Sequence, residues 1–237
     1  MKLTRDQLQR LRHRHMGYRL TLCAEVLLLL LLPLAQQHNG LLSLLLIGLA
    51  LELVAFVSRY SSLRATRPLV YGLGGLAVVL EVLWQTSLRF SPSLGQLLTV
   101  PHVLVWVLFL LVAVVRKVKT LIREPYVTVS VVLGAASGYL LVGIAGGVLL
   151  TALWVLQPAA FDAASLPLAP VTAADPVPVS PALMAASFGL LTTVGTGVLS
   201  PANVTAQVIA SVITIAGQLY VAILIALILG RFHQRGG

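Results

Sequence analysis

"TTVGTG", residues 192 to 197, follows the apolar run "PALMAASFGLL" (181 to 191) and stands shortly before a second long apolar run that opens at residue 201. Six residues carrying hydroxyls, hydrogens and one valine side chain have little apolar surface to bury, so their value lies in the backbone. In an extended strand whose residues alternate the sign of φ, successive carbonyls point the same way, and glycine takes the positive-φ positions without steric cost. Gly195 and Gly197 have that spacing. Four such strands around one axis would stack rings of carbonyl oxygens from Thr193, Val194, Gly195 and Thr196, with the Thr193 hydroxyl as an inner ring. Rings of this kind replace the hydration shell of a permeating cation.

The rest of the chain supplies a setting for such a strand. Of its 237 residues, 58% are hydrophobic and only 10% charged, and its mean hydropathy is +0.97. That composition lies outside the range of soluble globular domains and reads as an integral membrane protein. Non-helical backbone at membrane depth persists only where protein buries it or it lines a wet cavity.

A helix needs about 17 to 25 apolar residues to cross the hydrocarbon core, and six candidates are present, near 18 to 36, 41 to 58, 69 to 88, 98 to 115, 126 to 156 and 201 to 230. Breakers separate them: "QQHNG" at 36 to 40, "SLRATRP" at 62 to 68, "FSPS" at 90 to 93 and "REP" at 123 to 125. The chain has 16 Lys and Arg residues, and on this count all except Arg89 fall on one side of the membrane. Positive charge accumulates on cytoplasmic loops, so a multi-pass protein with both termini cytoplasmic is expected. The formal charge of +9 is spread in clusters beside apolar runs, which suits orientation better than nucleic-acid binding. Cys23 is the only cysteine, so no intrachain disulfide forms.

The longest connector lies outside on this topology. Its first part, "FDAASLPLAPVTAADPVPVS" (161 to 180), is rich in Pro and Ala and is expected to be extended. Ser180 followed by Pro181 then reads as an N-cap with proline at the first helical position, opening a helix too short to cross the bilayer. Ser200 and Pro201 repeat the device before the last span. The short helix ends where the glycine run begins, so its negative dipole end would face the ion path.

This order of parts resembles the potassium channel superfamily, in particular its six-span bacterial members with one pore loop per chain. "SFGLLTTVGTG" (187 to 197) is similar to the family's pore helix and T-V-G-Y-G filter, and "GQLYVAILIALILG" (217 to 230) looks like its inner helix. The resemblance covers about 50 residues strongly. It implies K⁺ as the permeant ion, coordinated at Thr193, Val194, Gly195, Thr196 and Gly197, and it implies an inner-helix hinge at Gly217. Two positions depart from the pattern. Thr196 stands where the family has an aromatic residue, and Val198 where an acid usually follows the second glycine. In voltage-gated relatives the fourth span carries arginine at every third position, whereas "PHVLVWVLFLLVAVV" (101 to 115) has none, so strong voltage sensing is not expected.

Thr214, Gln218, Val221, Ile225 and Leu229 recur at spacings of four, three, four and four, and so share one face of the last span. That face is assigned to the pore, with Thr214 and Gln218 toward a wet cavity and Ile225 and Leu229 as apolar rings that close by dewetting. The alternative is helix packing, with the two polar residues bonded to neighbours. Gly134, Gly138, Gly143, Gly146 and Gly147 give the fifth span small faces for close approach, expected against the sixth.

Glu25, Glu52 and Glu81 place one carboxylate in each of the first three spans, where a charge is costly unless paired or near water. Arg19 and Arg59 are in reach of the first two, and Arg89 or His102 of the third; a proton or ligand sensor is the alternative to pairing. Arg116, Lys117, Lys119 and Arg123 alternate with Val118, Leu121 and Ile122, as in an interfacial linker helix on anionic lipid. The N-terminal segment has a capping pattern at Thr4 and Gln7 and reads as a basic surface helix.

The expected organisation is a basic cytoplasmic segment (1–17), a four-helix domain resembling a voltage sensor without gating arginines, together with its linker (18–123), a pore domain (124–230) and a short tail (231–237). Within the pore domain lie the outer helix, the outer loop (157–180), the pore helix (181–192), the filter (193–197) and the inner helix (201–230). One strand cannot surround an ion, so a homotetramer is expected. The expected function is a passive, K⁺-preferring cation channel with no cofactor; a non-selective channel and a non-conducting structural or modulatory subunit are the alternatives. An enzyme is not expected, because His13, His15, His38, His102 and His233 form no ligand spacing with acids and no nucleophile motif occurs. A secondary transporter would call for two broken segments in repeated halves, and one is visible.

Overall fold

A computed structural model describes residues 5–38, 40–60, 67–122, 128–161, 179–194 and 200–233, with side chains described between Met16 and Ala226 apart from residues 59, 60 and 92. The regular elements among them are helices: α1 (Arg5–Gln37), α2 (Leu41–Tyr60), α3 (Arg67–Phe90), α4 (Pro92–Ile122), α5 (Val129–Leu156), α6 (Ser180–Leu191) and α7 (Val204–His233), with one 3₁₀ turn at Pro158–Ala160. Five of them, α2 to α5 and α7, are long and apolar enough to cross a membrane. The chain is therefore an all-α, multi-pass membrane protein. The first expected span, 18 to 36, lies within α1, which runs unbroken for 33 residues through the basic segment and past Pro33. No surface helix is set apart at residue 17, and Thr4 lies outside the described residues.

Helix ends differ from expectation in three places, each for a local reason. Ser180 is the first residue of α6 and bonds no backbone N–H as a cap; Val179 precedes it with helical φ and ψ, and Pro181 occupies the first turn. α7 opens at Val204, later than the Ser200–Pro201 pair, because Asn203 caps it: the Asn203 Oδ1 accepts a 2.9 Å bond from the Ala206 N–H. Pro201 instead forms an isolated antiparallel bridge with Phe161, and the Ala202 N–H donates to Ala160 O at 2.8 Å. The third difference is at α4, which continues to Ile122 and so absorbs the basic cluster expected as a separate linker. Arg116 and Lys117 are buried there, against the expected lipid contact, while Lys119 is exposed; Arg123 lies outside the described residues.

α5 is the central element. Half of its span is buried, against 22% for α7. Its glycines let the neighbours come close on several sides rather than on α7 alone. A methyl group added at Gly134 would lie 2.9 Å from Tyr18 Cγ on α1, at Gly143 2.7 Å from Phe188 Cδ1 on α6, and at Gly147 2.9 Å from the Met184 Cα on α6. Only two of the five face α7: Gly138 would meet Tyr220 Cζ at 2.9 Å and Gly146 would meet Ile213 Cγ1 at 3.1 Å. Backbones brought this near gain dispersion contacts, which drive helix association where lipid removes the hydrophobic incentive.

Because the Met184 backbone cannot yield as a side-chain tip can, Gly147→Val is expected to lower the thermal stability of the detergent-solubilised protein by about 1–3 kcal/mol. Gly72→Ala, where nothing lies within 4 Å, serves as the control. A fluorescence melting curve reads both, and an unchanged Gly147→Val midpoint would refute the close packing of α6 on α5.

Candidate functional site

α6 has 12 residues, about 18 Å at ~1.5 Å per residue, against a hydrocarbon core of about 30 Å. Its last two residues, Leu190 and Leu191, are buried, so their carbonyls require partners. Thr192 N–H donates to Phe188 O at 3.0 Å and Thr193 N–H to Leu190 O at 3.1 Å. The Thr192 hydroxyl lies 2.9 Å from Phe188 O and 3.3 Å from Gly189 O. From α5 the Tyr139 hydroxyl donates to Leu191 O at 3.0 Å, and from α7 the Thr214 hydroxyl lies 3.1 Å from Leu190 O. Higher on the helix, the Ser187 hydroxyl lies 2.7 Å from both Gly143 O on α5 and Met184 O.

The chain then leaves the helix at Thr193, whose φ of +62° is left-handed. A non-glycine residue holds that conformation at a cost of about 1–2 kcal/mol, so the surroundings impose it. Thr193 and Val194 are exposed and occupy the turn at the C-terminal end of α6. Gly195, Thr196 and Gly197, together with Val198, lie outside the described residues.

Of the stripe assigned to a pore, Gln218, Val221 and Ile225 are exposed on α7, and Leu229's side chain lies outside the described residues. Thr214 is half-buried with its hydroxyl engaged by Leu190 O and by Ala210 O at 3.1 Å, so helix packing describes it better than an open cavity wall. Gln207 and Ser211 precede Thr214 at the same spacing and are both exposed, extending the polar face toward the start of α7. Gly217 sits in an unbroken stretch of α7. An added methyl there would lie 2.7 Å from Leu191 O, so this glycine gives clearance to the end of α6.

The carboxylates of α1, α2 and α3 lie apart from this site. Glu25, on α1, is fully buried and meets Lys117 of α4 at 3.5 Å; the Ser137 hydroxyl of α5 donates to it at 2.6 Å. Lys117 also donates to Ser137 and, at 3.1 Å, to Thr21, with its ammonium 5.8 Å from the Phe56 ring centre. Arg19, the partner expected for Glu25, is exposed. The reason is geometric: α4 carries Lys117 inward instead of onto the lipid surface. Glu52 is half-buried with one oxygen lacking a hydrogen-bond partner among the described residues, and Arg59's side chain lies outside them. Glu81 pairs with His102 at 2.7 Å, one of its two expected partners; the other, Arg89, is exposed. Trp84 stacks on the His102 ring at 4.5 Å, and its indole N–H donates to Thr99 at 2.9 Å. Glu81, Trp84 and His102 line a cleft of about 550 Å³, open mouth included, which Ser180, Pro181 and Met184 of α6 also line. No group of three or more potential metal ligands occurs among the described residues.

Sequence reading missed Tyr139, Ser187 and the Lys117–Ser137 contact. Their signal was weak but present: each is a polar group inside an apolar helix, where an unbonded hydroxyl or ammonium is costly. Taking away one half of the deepest pair exposes that cost. Lys117→Met is expected to destabilise the protein by about 3–5 kcal/mol, because Glu25 is left buried and uncompensated. Adding Glu25→Gln is expected to restore the greater part, a non-additivity that a double-mutant cycle of melting midpoints measures. Comparison with known proteins yields no match to any family model, curated protein or solved structure.

Proposed function

We propose that this chain is one subunit of a passive cation channel that prefers K⁺, with a backbone-carbonyl filter at the fourfold axis of a homotetramer. One observation carries the reading: a helix too short to span the membrane, Ser180–Leu191, docks between α5 and α7 and ends where the Thr193–Gly197 run begins. Half-helix, glycine-punctuated sequence run and following long helix stand along the chain in the order that such a pore requires. The exposed polar face of α7, Gln207, Ser211 and Gln218, adds support, since amide and hydroxyl groups on a membrane helix favour a wet surface or a polar partner over lipid.

In this reading the permeating K⁺ exchanges its hydration water for the carbonyls of Thr193, Val194, Gly195 and Thr196, with Gly197 closing the strand. Ile225 and Leu229 narrow the inner end. Both termini are cytoplasmic, following the one-sided distribution of Lys and Arg. The basic ends of the helices lie near anionic lipid headgroups through exposed residues such as Lys119. Thr196 and Val198, in place of an aromatic residue and an acid, favour a filter held less firmly at its outer end. That observation keeps a non-selective cation channel as the second reading.

Purified protein in liposomes decides between them. K⁺ flux is expected to exceed Na⁺ flux on the same preparation, with reversal potentials set by the K⁺ gradient. Equal movement of the two ions would favour the non-selective pore, and absence of both would identify a non-conducting subunit.

A further inference from the structure

The end of α6 is held by side chains from two other helices, and their placement has a use if the next residues form a filter. Leu190 O and Leu191 O are the last two carbonyls of the helix. Thr214 of α7 reaches the first at 3.1 Å and Tyr139 of α5 reaches the second at 3.0 Å. Leu191 is separated from the strained Thr193 by one residue, so any shift of its carbonyl displaces the first turn of the strand.

The ring of Tyr139 is itself fixed. It packs on Tyr220 with centroids 6.0 Å apart, and the Tyr220 hydroxyl donates to Ala135 O, one turn earlier on α5, at 2.8 Å. Gly217 completes the arrangement, because a side chain there would collide with the Leu191 oxygen that Tyr139 holds. Tyr139, Thr214, Tyr220 and Gly217 thus surround two carbonyls from two helices. A hydroxyl on an apolar helix could satisfy itself within its own turn, as Thr86 does by bonding Val82 O at 2.6 Å. Tyr139 cannot, since its hydroxyl is too far from its own backbone; it needs the acceptor that α6 supplies.

Resting on the channel reading, we infer that Tyr139 and Thr214 are positioning residues for ion selection. They fix the inner end of the filter through Leu190 and Leu191, where the outer end has no aromatic residue at 196 and no acid at 198. Neither residue touches the ion. Tyr139 acts by holding Leu191 O and Thr214 by holding Leu190 O, so that the Thr193 ring keeps one radius. A looser ring contracts or expands to suit ions of different size and loses its preference.

Tyr139→Phe tests this with the loss of a single O–H, the ring packing being kept. The oligomer and melting midpoint of this variant are expected to stay near those of the unaltered protein. Its K⁺ to Na⁺ permeability ratio, read from reversal potentials in planar bilayers, is expected to fall roughly fivefold, the factor that one ordinary hydrogen bond corresponds to. Thr214→Ser keeps a hydroxyl and is expected to keep the ratio, whereas Thr214→Val is expected to lower it. Should Tyr139→Phe fail to assemble, the Thr214 pair still decides. An unaltered protein that conducts selectively while Tyr139→Phe and Thr214→Val select equally well overturns the brace and leaves the channel reading standing. An unaltered protein that conducts both ions alike overturns the brace but not conduction, and one that passes no ion overturns both.

Discussion

A helix that stops inside an apolar bundle must leave its last carbonyls bonded to something other than water or lipid, and most of the arrangement around α6 follows from that. The turn at Thr192 and Thr193 satisfies part of the need from within the chain. The remainder falls to Tyr139 and Thr214. For these hydroxyls to arrive, α5 and α7 must approach closely, which explains the glycines they carry at the contact: Gly143 and Gly147 against α6, and Gly217 beneath its end. Backbone polarity therefore comes first, and the small residues are its consequence.

The first four helices meet the same constraint with acid–base pairs. α4 is the common partner: Lys117 near one end holds Glu25 of α1, and His102 nearer the other holds Glu81 of α3. A buried pair of this type adds little net stability over apolar side chains of the same volume, whereas one half alone is severely unfavourable. The value of the pairs lies in register. A shift of α4 by one residue along α1 or α3 would carry each base away from its acid, while a purely leucine contact would tolerate the shift. Ser137 joins the first pair to α5, so this end of the four-helix region is keyed to the same central helix that receives α6.

Much of this was legible in the sequence because the governing signals are local. Apolar run length and the breakers between runs locate α2, α3, α5 and α7 within a few residues, and the half-length of α6 follows from proline at one end and glycine at the other. What was not legible depends on which face of a helix turns inward. Lys117 reads as a lipid contact when the basic cluster is treated as a linker; it is buried because α4 does not stop at Val115, and nothing in residues 116 to 122 breaks a helix. Asn203 takes the capping role from Ser200 because Phe161 and Ala160 pin residues 201 and 202 in extended backbone, a contact made across a long stretch of chain. Thr214 belongs to a stripe whose spacing fits both a pore wall and a packed surface, and only the position of Leu190 O separates the two.

α7 brings these strands together. Its burial within one chain is slight, and the side left open is not uniformly apolar: Gln207, Ser211 and Gln218 share it with Val221 and Ile225. Ser211 returns its hydroxyl to Gln207 O at 2.8 Å, as a hydroxyl facing lipid would, but a glutamine amide has no such intrahelical refuge. Two amides on one membrane helix are costly against hydrocarbon, so that face requires water or a second polar surface. Water along a single unpartnered helix would have no wall to contain it. On the proposed channel reading, a ring of copies supplies the wall and encloses the water in one step, with the ends of the α6 helices around the same axis.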